Sequence, residues 1–131
     1  MENLTADDLT IEASQAAPTA PLTLVWKGKS DDRYPGKVLG PYFGRVLAHA
    51  EEGKSSVEMH FEKLDHFNSS TIAAVIRFIQ EARQRAVKLV LVYNQQLKWQ
   101  KLSFDALRVF AKDDLLELRP TPSASTSGPT P

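Results

Sequence analysis

Hydrophobic and polar residues alternate along residues 57–62, where Val57, Met59 and Phe61 share one side of the chain. A period of two with β-branched and aromatic residues predicts a half-buried β-strand. The period then changes, because apolar residues from Ile72 onward recur at intervals of three and four. Such a stripe is typical of an amphipathic helix that buries one face. The middle of the sequence therefore predicts a strand followed by a helix.

Four polar residues separate this strand from the helix: Asn68, Ser69, Ser70 and Thr71. Asparagine and serine are favoured as N-caps, where the side chain accepts a hydrogen bond from a free backbone amide of the first turn. A hydroxyl at this place also faces the positive end of the helix dipole, which favours a phosphate. The sequence thus places a serine at a helix start, and a simple capping role is the alternative to a functional one.

The remaining pattern predicts a strand and a helix before this unit, and a strand, a helix and a short strand after it. The first two are a strand at 22–28 and a helix with Pro41 near its first turn that ends near Gly53. The later ones are a strand at 87–93 that is apolar on both faces, a helix from 94–96 to about 112 and a strand at 115–119. The stripe predicted for the last helix is Leu97, Leu102, Ala106, Val109 and Phe110.

Alternating strands and helices predict an α/β fold, because each helix returns the chain to the same edge of the sheet by a right-handed crossover. We expect a mixed, mostly parallel sheet of about four to five strands in a single domain over residues 22–119. Glu58, His60 and Glu62 on the outer side of this strand are polar, which indicates that part of one sheet face is less covered. We therefore expect the helices mainly on one face of the sheet.

Both ends of the chain differ in composition from this core. Residues 1–21 are acidic and then rich in Ala, Thr and Pro, so we expect a mostly flexible leader. Within it, residues 9–13 are compatible with a short edge strand. Residues 120–131 are dominated by Pro, Ser, Thr and Gly, which predicts a disordered tail.

Composition narrows the classes of function. The 131 residues contain 16 Lys and Arg and 16 Asp and Glu, so no net field attracts nucleic acid or an anionic membrane. The absence of cysteine excludes disulfides and thiolate metal sites and fits a reducing compartment. No apolar run approaches the ~20 residues of a membrane span, and no signal-peptide pattern opens the chain. We therefore expect a soluble cytoplasmic protein that neither inserts into membranes nor binds nucleic acid.

Other constellations of chemically active residues are weaker. His60 and His66 have carboxylates nearby, but one is predicted in mid-strand and the other beyond the strand end, so we expect no metal site. Ser69 follows a His and an Asp, yet the Gly-x-Ser-x-Gly turn of hydrolases is absent. The glycines within 36–44 lack the Lys-Ser/Thr ending of a phosphate loop. The sequence indicates neither a catalytic site nor a bound cofactor.

A family resemblance is carried by Val57-Glu58-Met59-His60-Phe61, Leu64, Phe67, Asn68-Ser69-Ser70, Ile72 and Lys88-Leu89-Val90-Leu91-Val92. In pattern and spacing these residues are similar to the STAS domain, the fold of bacterial anti-sigma factor antagonists, in which Asp-Ser-Ser-Gly-Leu joins a strand to a helix. The resemblance covers roughly residues 22–119. The chain is closer still to small STAS-like phosphoproteins that regulate biofilm formation through a diguanylate cyclase, because their switch segment also begins with Asn, hydroxyl residues and Ile.

The resemblance implies that Ser69 is the phosphorylated residue, with Ser70 and Thr71 as runners-up. Asn68 and Thr71 depart from the Asp and Gly that the family has at those places. The implied role is that of a non-enzymatic regulator in a bacterial partner-switching pathway, which binds its effector when unphosphorylated. The effector would be an anti-sigma factor or a diguanylate cyclase. A serine/threonine kinase of the histidine-kinase-like ATPase fold and a PP2C-type phosphatase would act on the serine.

We expect the partner to bind the junction and the exposed side of the helix that follows it. The residues predicted for this surface are Phe67, Asn68, Ser69, Ser70, Thr71, Ala73, Ala74, Arg77 and Phe78. One alternative is a phosphorylation-independent STAS scaffold or transporter-associated subunit that uses the same helix. Another is an enzyme of unknown chemistry.

Overall fold

The computed structural model describes residues 1–121, which form seven β-strands and three α-helices. The strands are β1 (Leu4–Ala6), β2 (Leu9–Ser14), β3 (Leu22–Ser30), β4 (Val57–His60), β5 (Leu64–Phe67), β6 (Leu89–Tyr93) and β7 (Leu116–Pro120). The helices are α1 (Gly36–Gly53), α2 (Ser69–Gln84) and α3 (Lys98–Leu107). None of the helices in this part of the chain combines the length and the apolarity of a membrane span.

All seven strands join one sheet in the order β1-β2-β3-β4-β6-β7, with β5 also beside β3. The pairs β1–β2 and β2–β3 are antiparallel, whereas β3, β4, β5, β6 and β7 form parallel pairs. The predicted α/β fold with a mixed, mostly parallel sheet is therefore confirmed. The sheet has more strands than expected, because the leader adds two and the central strand is split into β4 and β5.

Residues 1–21 differ from the mostly flexible leader that their composition indicated. β1 and β2 form a hairpin that extends the sheet beyond β3, and β2 includes the residues 9–13 that were compatible with a strand. Leu9 and Ile11 point into the core and are 5% and 0% exposed. Burial of such side chains stabilises by about 1.5–3 kcal/mol each and adds to the pairing with β3 in opposing the entropy lost in ordering the hairpin.

Gly28 lets the turn of this hairpin lie close to β3. It faces Leu9 in the pairing of β2 with β3, and its φ of +85° lies in the region that favours glycine. A Cβ at this position would stand 1.9 Å from the carbonyl oxygen of Asp8. A larger residue therefore fits only if the turn moves.

The central strand is interrupted, which the alternation at residues 57–62 did not predict. A turn follows β4, in which the N–H of Leu64 donates to the carbonyl oxygen of Phe61 at 3.0 Å. The buried side chain of Gln100 fills the gap: Nε2 donates to the carbonyl oxygens of Phe61 (2.7 Å) and Leu64 (3.3 Å). Its Oε1 accepts a hydrogen bond from the N–H of Asn94 at 2.8 Å. A single amide from α3 thus satisfies the backbone where the sheet pairing stops.

One hydrophobic core lies between the sheet and the helices, and it is joined by aromatic rings. Trp26 of β3 contacts Phe43 of α1, with ring centroids 6.1 Å apart, and Phe61, with centroids 4.8 Å apart. Phe43 packs on Phe78 of α2 at 4.6 Å, and Phe61 on Phe104 of α3 at 4.9 Å. All three helices therefore cover the same face of the sheet, which confirms the prediction that they lie mainly on one side.

α3 is shorter than predicted and buries a different stripe. Its buried residues are Gln100, Phe104 and Leu107. Of the stripe expected to be buried, Leu102 and Val109 are 61% and 64% exposed. The prediction failed because it treated Gln100 as a solvent-facing residue, whereas the amide turns inward to satisfy the gap between β4 and β5.

Within residues 1–121 no helix covers the second face of the sheet, which we call the open face. His60 lies there between two carboxylates, with Nε2 3.2 Å from Glu58 and Nδ1 3.1 Å from Glu62. Val90 and Val92 point to the same face and are only 3% and 5% exposed. They are shielded because charged side chains of β4 and β7 flank them in the pairing register.

The segment predicted as a disordered tail, residues 120–131, is described only at its beginning. Pro120 is the last residue of β7, and the N–H of Thr121 donates to the carbonyl oxygen of Tyr93 at 2.7 Å. Residues 122–131 lie outside the described part of the chain.

Candidate functional site

Ser69 is the first residue of α2, and its side chain is exposed. β5 ends at Phe67, and Asn68 forms the N-cap in an extended conformation with φ −96° and ψ 176°. Because β5 runs parallel to β3, this junction lies at the carboxyl-terminal edge of the parallel strands, where function collects in open α/β sheets. The structure places Ser69 on the surface at a helix start, and its modification stays a prediction.

A buried polar network fixes the junction. Oδ1 of Asn68 accepts a hydrogen bond from the backbone N–H of Thr71 at 2.9 Å, and its Nδ2 donates to the carbonyl oxygen of Asp32 at 2.8 Å. The hydroxyl of Thr71 lies 2.7 Å from the hydroxyl of Ser30 and 3.1 Å from the Ser30 carbonyl oxygen. Ser30 and Thr71 are 4% and 0% exposed. The end of β3 is thereby tied to the first turn of α2.

This network explains why Asn68 and Thr71 depart from the STAS pattern. An aspartate at position 68 can cap the helix, but it has no N–H to donate to the carbonyl oxygen of Asp32. A glycine at position 71 would leave the buried hydroxyl of Ser30 without its side-chain partner. Asn68 and Thr71 thus form one hydrogen-bond network with the end of β3, which includes Ser30. Sequence reasoning missed Ser30 because it lies on another strand.

Part of the predicted partner surface is accessible. Ser69 and Arg77 are exposed, and Asn68, Ser70 and Ala73 are partly exposed. They lie on one side of α2 between its N-cap and the start of its third turn, so a partner can contact them together.

Four other residues of that predicted surface are buried, which corrects the prediction for them. Ala74 and Phe78 are 4% and 2% exposed and face the core from α2. Phe67 is 5% exposed and packs edge-on against Trp99, with ring centroids 5.1 Å apart. Thr71 is enclosed by the polar network, so it is unsuited both to partner contact and to its role as a runner-up phosphorylation site. For Ala74 and Phe78 the prediction failed because it extended the outward face of α2 by about one residue position, beyond Ala73 and Arg77.

A groove of about 430 Å³ lies beside the junction, between the loop that follows β3 and the first turns of α2. Its side-chain lining includes Arg33, Tyr34, Lys37, Ser70, Ala73 and Arg77. We call it the basic groove, because its cations Arg33, Lys37 and Arg77 form no ion pair within residues 1–121. Of these three cations, only Arg77 belonged to the partner surface predicted from the sequence, since a linear pattern does not show that the loop and the helix converge.

The other chemical groups considered from the sequence lie elsewhere. Among residues 1–121, no group of three or more His, Asp or Glu side chains is arranged to hold a metal. His60 lies on the open face, and His66 is exposed beside Trp99, with ring centroids 6.1 Å apart. The hydrogen bonds of His60 go to carboxylates and not to Ser69.

Comparison of the sequence with protein-family profiles and with curated proteins gives no significant match. Among solved structures, the chain is similar to the unphosphorylated form of the anti-sigma factor antagonist SpoIIAA. The TM-score is 0.52 at 15% sequence identity, and the match covers 81% of this chain and 86% of that chain. The chain therefore has a STAS-like fold, as the sequence resemblance implied, and its function is argued from the site.

Proposed function

We propose that this protein is a non-enzymatic regulatory protein of a bacterial partner-switching pathway, controlled by phosphorylation of Ser69. In this proposal the unphosphorylated chain binds its effector through the accessible surface of Asn68, Ser69, Ser70, Ala73 and Arg77. Phosphorylation of Ser69 releases the effector. The observation that carries the proposal is the exposure of Ser69 at the first position of α2, in a fold similar to that of an anti-sigma factor antagonist.

The site is preformed, which favours binding. The N-cap bond of Asn68 and the buried contact between Ser30 and Thr71 hold the backbone of the junction in one conformation. A partner that docks on such a surface loses less conformational entropy than one that must order a loop. Because the cap is Asn68, modification of Ser69 leaves the capping hydrogen bond in place.

The electrostatic effect of one phosphate is large enough to act as a switch. Phosphorylation adds about −1.5 to −2 charges. When a partner covers Ser69, that charge must lose its hydration, which costs several kcal/mol. About 4 kcal/mol separates nanomolar from micromolar binding. The switch therefore needs no change of fold.

A kinase and a phosphatase complete the proposed pathway. We assign the phosphorylation of Ser69 to a serine/threonine kinase of the histidine-kinase-like ATPase fold and its removal to a PP2C-type phosphatase. The effector is an anti-sigma factor, and a diguanylate cyclase is the alternative effector for the same surface.

The test joins phosphorylation to binding. The chain is incubated with ATP and with kinases of this class encoded near its gene, and the product is measured by intact mass and peptide mapping. We expect the peptide map to locate a phosphate on Ser69 that the Ser69→Ala variant lacks at that position. Effector binding should weaken by at least about 100-fold in Ser69→Asp and stay within about 3-fold in Ser69→Ala. Gln80→Glu is the matched control, because it adds a charge to an exposed position further along α2.

Two results would contradict the proposal. The first is a chain that takes no phosphate at Ser69 or its neighbours from any kinase of this class. The second is equal effector binding by the Ser69→Asp and Ser69→Ala variants, which would favour a phosphorylation-independent scaffold or transporter-associated subunit.

A further inference from the structure

The two adjacent serines of the junction face different surroundings. Ser69 is exposed, whereas Ser70 is partly exposed and lines the basic groove. The groove brings Arg33 and Lys37 to the same cavity from the loop and the first turn of α1, and Arg77 from α2. Its lining contains no acidic side chain. A group attached to Ser70 therefore enters a strongly positive surrounding, whereas Ser69 does not line the groove.

The cations of the groove are positioned by neighbouring groups. The guanidinium of Arg77 lies against Gly36, where an added Cβ would stand 3.5 Å from Nη2. Nζ of Lys37 lies over the ring of Tyr34, 5.5 Å from its centroid. Such contacts hold charged groups in place and lower the entropy lost when they bind an anion.

Carboxylates that neighbour the groove residues along the chain, Asp31, Asp32 and Glu81, lie outside the groove lining. Oδ1 of Asp32 accepts a hydrogen bond from the N–H of Tyr34 at 2.9 Å. Glu81 lies one turn beyond Arg77 on α2 and borders an adjacent pocket with it. None of these carboxylates lines the groove, so the charged side chains of its lining are all positive.

We propose that Ser70 is a second modification site and that the basic groove binds its phosphate. The proposal rests on the proposed function only in that the same class of kinase supplies the phosphoryl group. The Ser70 hydroxyl oxygen bonds to the γ-phosphorus of ATP, the bond from that phosphorus to the ADP oxygen breaks, and the hydroxyl proton passes to the kinase. Guanidinium groups bind phosphate oxygens through paired, charge-assisted hydrogen bonds. The phosphate at position 70 is thus neutralised within the groove and blocks it, whereas a phosphate at position 69 stays in solvent.

The test requires no partner protein. Phosphoserine is inserted at position 70 of the full chain by amber suppression, with phosphoserine at position 69 as the matched control. The second pKa of each phosphate is measured by phosphorus-31 NMR. We expect a value near the usual value of about 6 at position 69 and a value about 1 lower at position 70, because the cations favour the dianion.

Variants identify the groups responsible. The double substitution Arg33→Gln and Arg77→Gln should remove most of the difference between the two phosphoserines. Lys88→Gln, a cation at the opposite end of the sheet, should leave it unchanged. Dispersion of the amide NMR spectrum reports folding, and Arg33→Gln alone provides the comparison if the double variant does not fold.

Equal pKa values at the two positions would overturn the proposal. A low pKa at position 70 that survives the removal of both arginines would overturn it as well, because the helix dipole and not the groove would then hold the charge. Neither outcome affects the control of effector binding through Ser69, since no kinase or effector enters the measurement.

Discussion

The contact between Ser30 and Thr71 is the feature of the junction whose removal has the most specific consequence. Their hydroxyls are 2.7 Å apart and both residues are buried. Thr71→Val keeps the shape of the side chain but deletes its hydroxyl. The hydroxyl of Ser30 then loses its side-chain partner in a place that solvent does not reach. Ser30→Ala has a smaller effect, because the hydroxyl of Thr71 still donates to the Ser30 carbonyl oxygen or to Asn68.

The magnitudes follow from this asymmetry. A buried hydroxyl left without a partner costs about 1–3 kcal/mol, so Thr71→Val should lower the free energy of unfolding by about 2 kcal/mol. Ser30→Ala should lower it by about 1 kcal/mol, the usual worth of one hydrogen bond. The double variant contains neither hydroxyl and no unsatisfied group. It should therefore cost about 1 kcal/mol, which is less than Thr71→Val alone and less than the sum of the single variants.

Urea denaturation followed by circular dichroism measures these differences. Thr71→Ser is the control, because it keeps the hydroxyl and deletes only a methyl group. Effects of Ser30→Ala and Thr71→Val that add to within about 0.5 kcal/mol would refute the reasoning, since independent sites behave in that way. A fully stable Thr71→Val variant would refute it as well.

Three further predictions concern the scaffold. Gln100→Leu should lower the free energy of unfolding by about 2 kcal/mol in urea, because the carbonyl oxygens of Phe61 and Leu64 and the N–H of Asn94 lose their hydrogen bonds to the side-chain amide. Gly28→Ala should lower the free energy of unfolding by more than about 1 kcal/mol in the same assay, because its φ is positive and a Cβ has no room there. Gly44→Ala, where a Cβ meets open space, is the control and should be neutral or stabilising. Burial, and then the charge of Glu2, raise the pKa of Tyr42 from the usual value of about 10 to about 12. The folded state therefore holds the phenol proton more tightly, and stability should fall as the pH rises from about 10 to about 12, less steeply in Tyr42→Phe.

The sequence predicted those parts of the fold whose signals are local. β6 is apolar on both faces and is buried along its whole length, because it lies in the middle of the parallel strands. The hairpin of β1 and β2 was missed because its stability comes from pairing with β3 and from buried Leu9 and Ile11. The six residues of β2 do not by themselves indicate which strand they will pair with or which surface will bury them.

In the candidate site, too, the sequence predicted the features that depend on neighbouring residues and missed those that depend on tertiary packing. Asn68 at the N-cap and Ser69 at the first turn were predictable, because capping depends on residues close in sequence. The burial of Thr71 and the convergence of Arg33 with Arg77 were not, because each depends on how β3 and its following loop pack on α2. Ser30 carried no signal in the sequence at all, since its role exists only through a residue on another element.

The split between β4 and β5 has a mechanical consequence for the junction. β4 pairs with β3 on one side and with β6 on the other, whereas β5 pairs with β3 alone. A force applied at Ser69 therefore reaches the sheet through β3, the strand that also holds the first turn of α2 through Ser30. The contact between Ser30 and Thr71 reinforces this attachment, so the junction keeps its conformation when a partner docks.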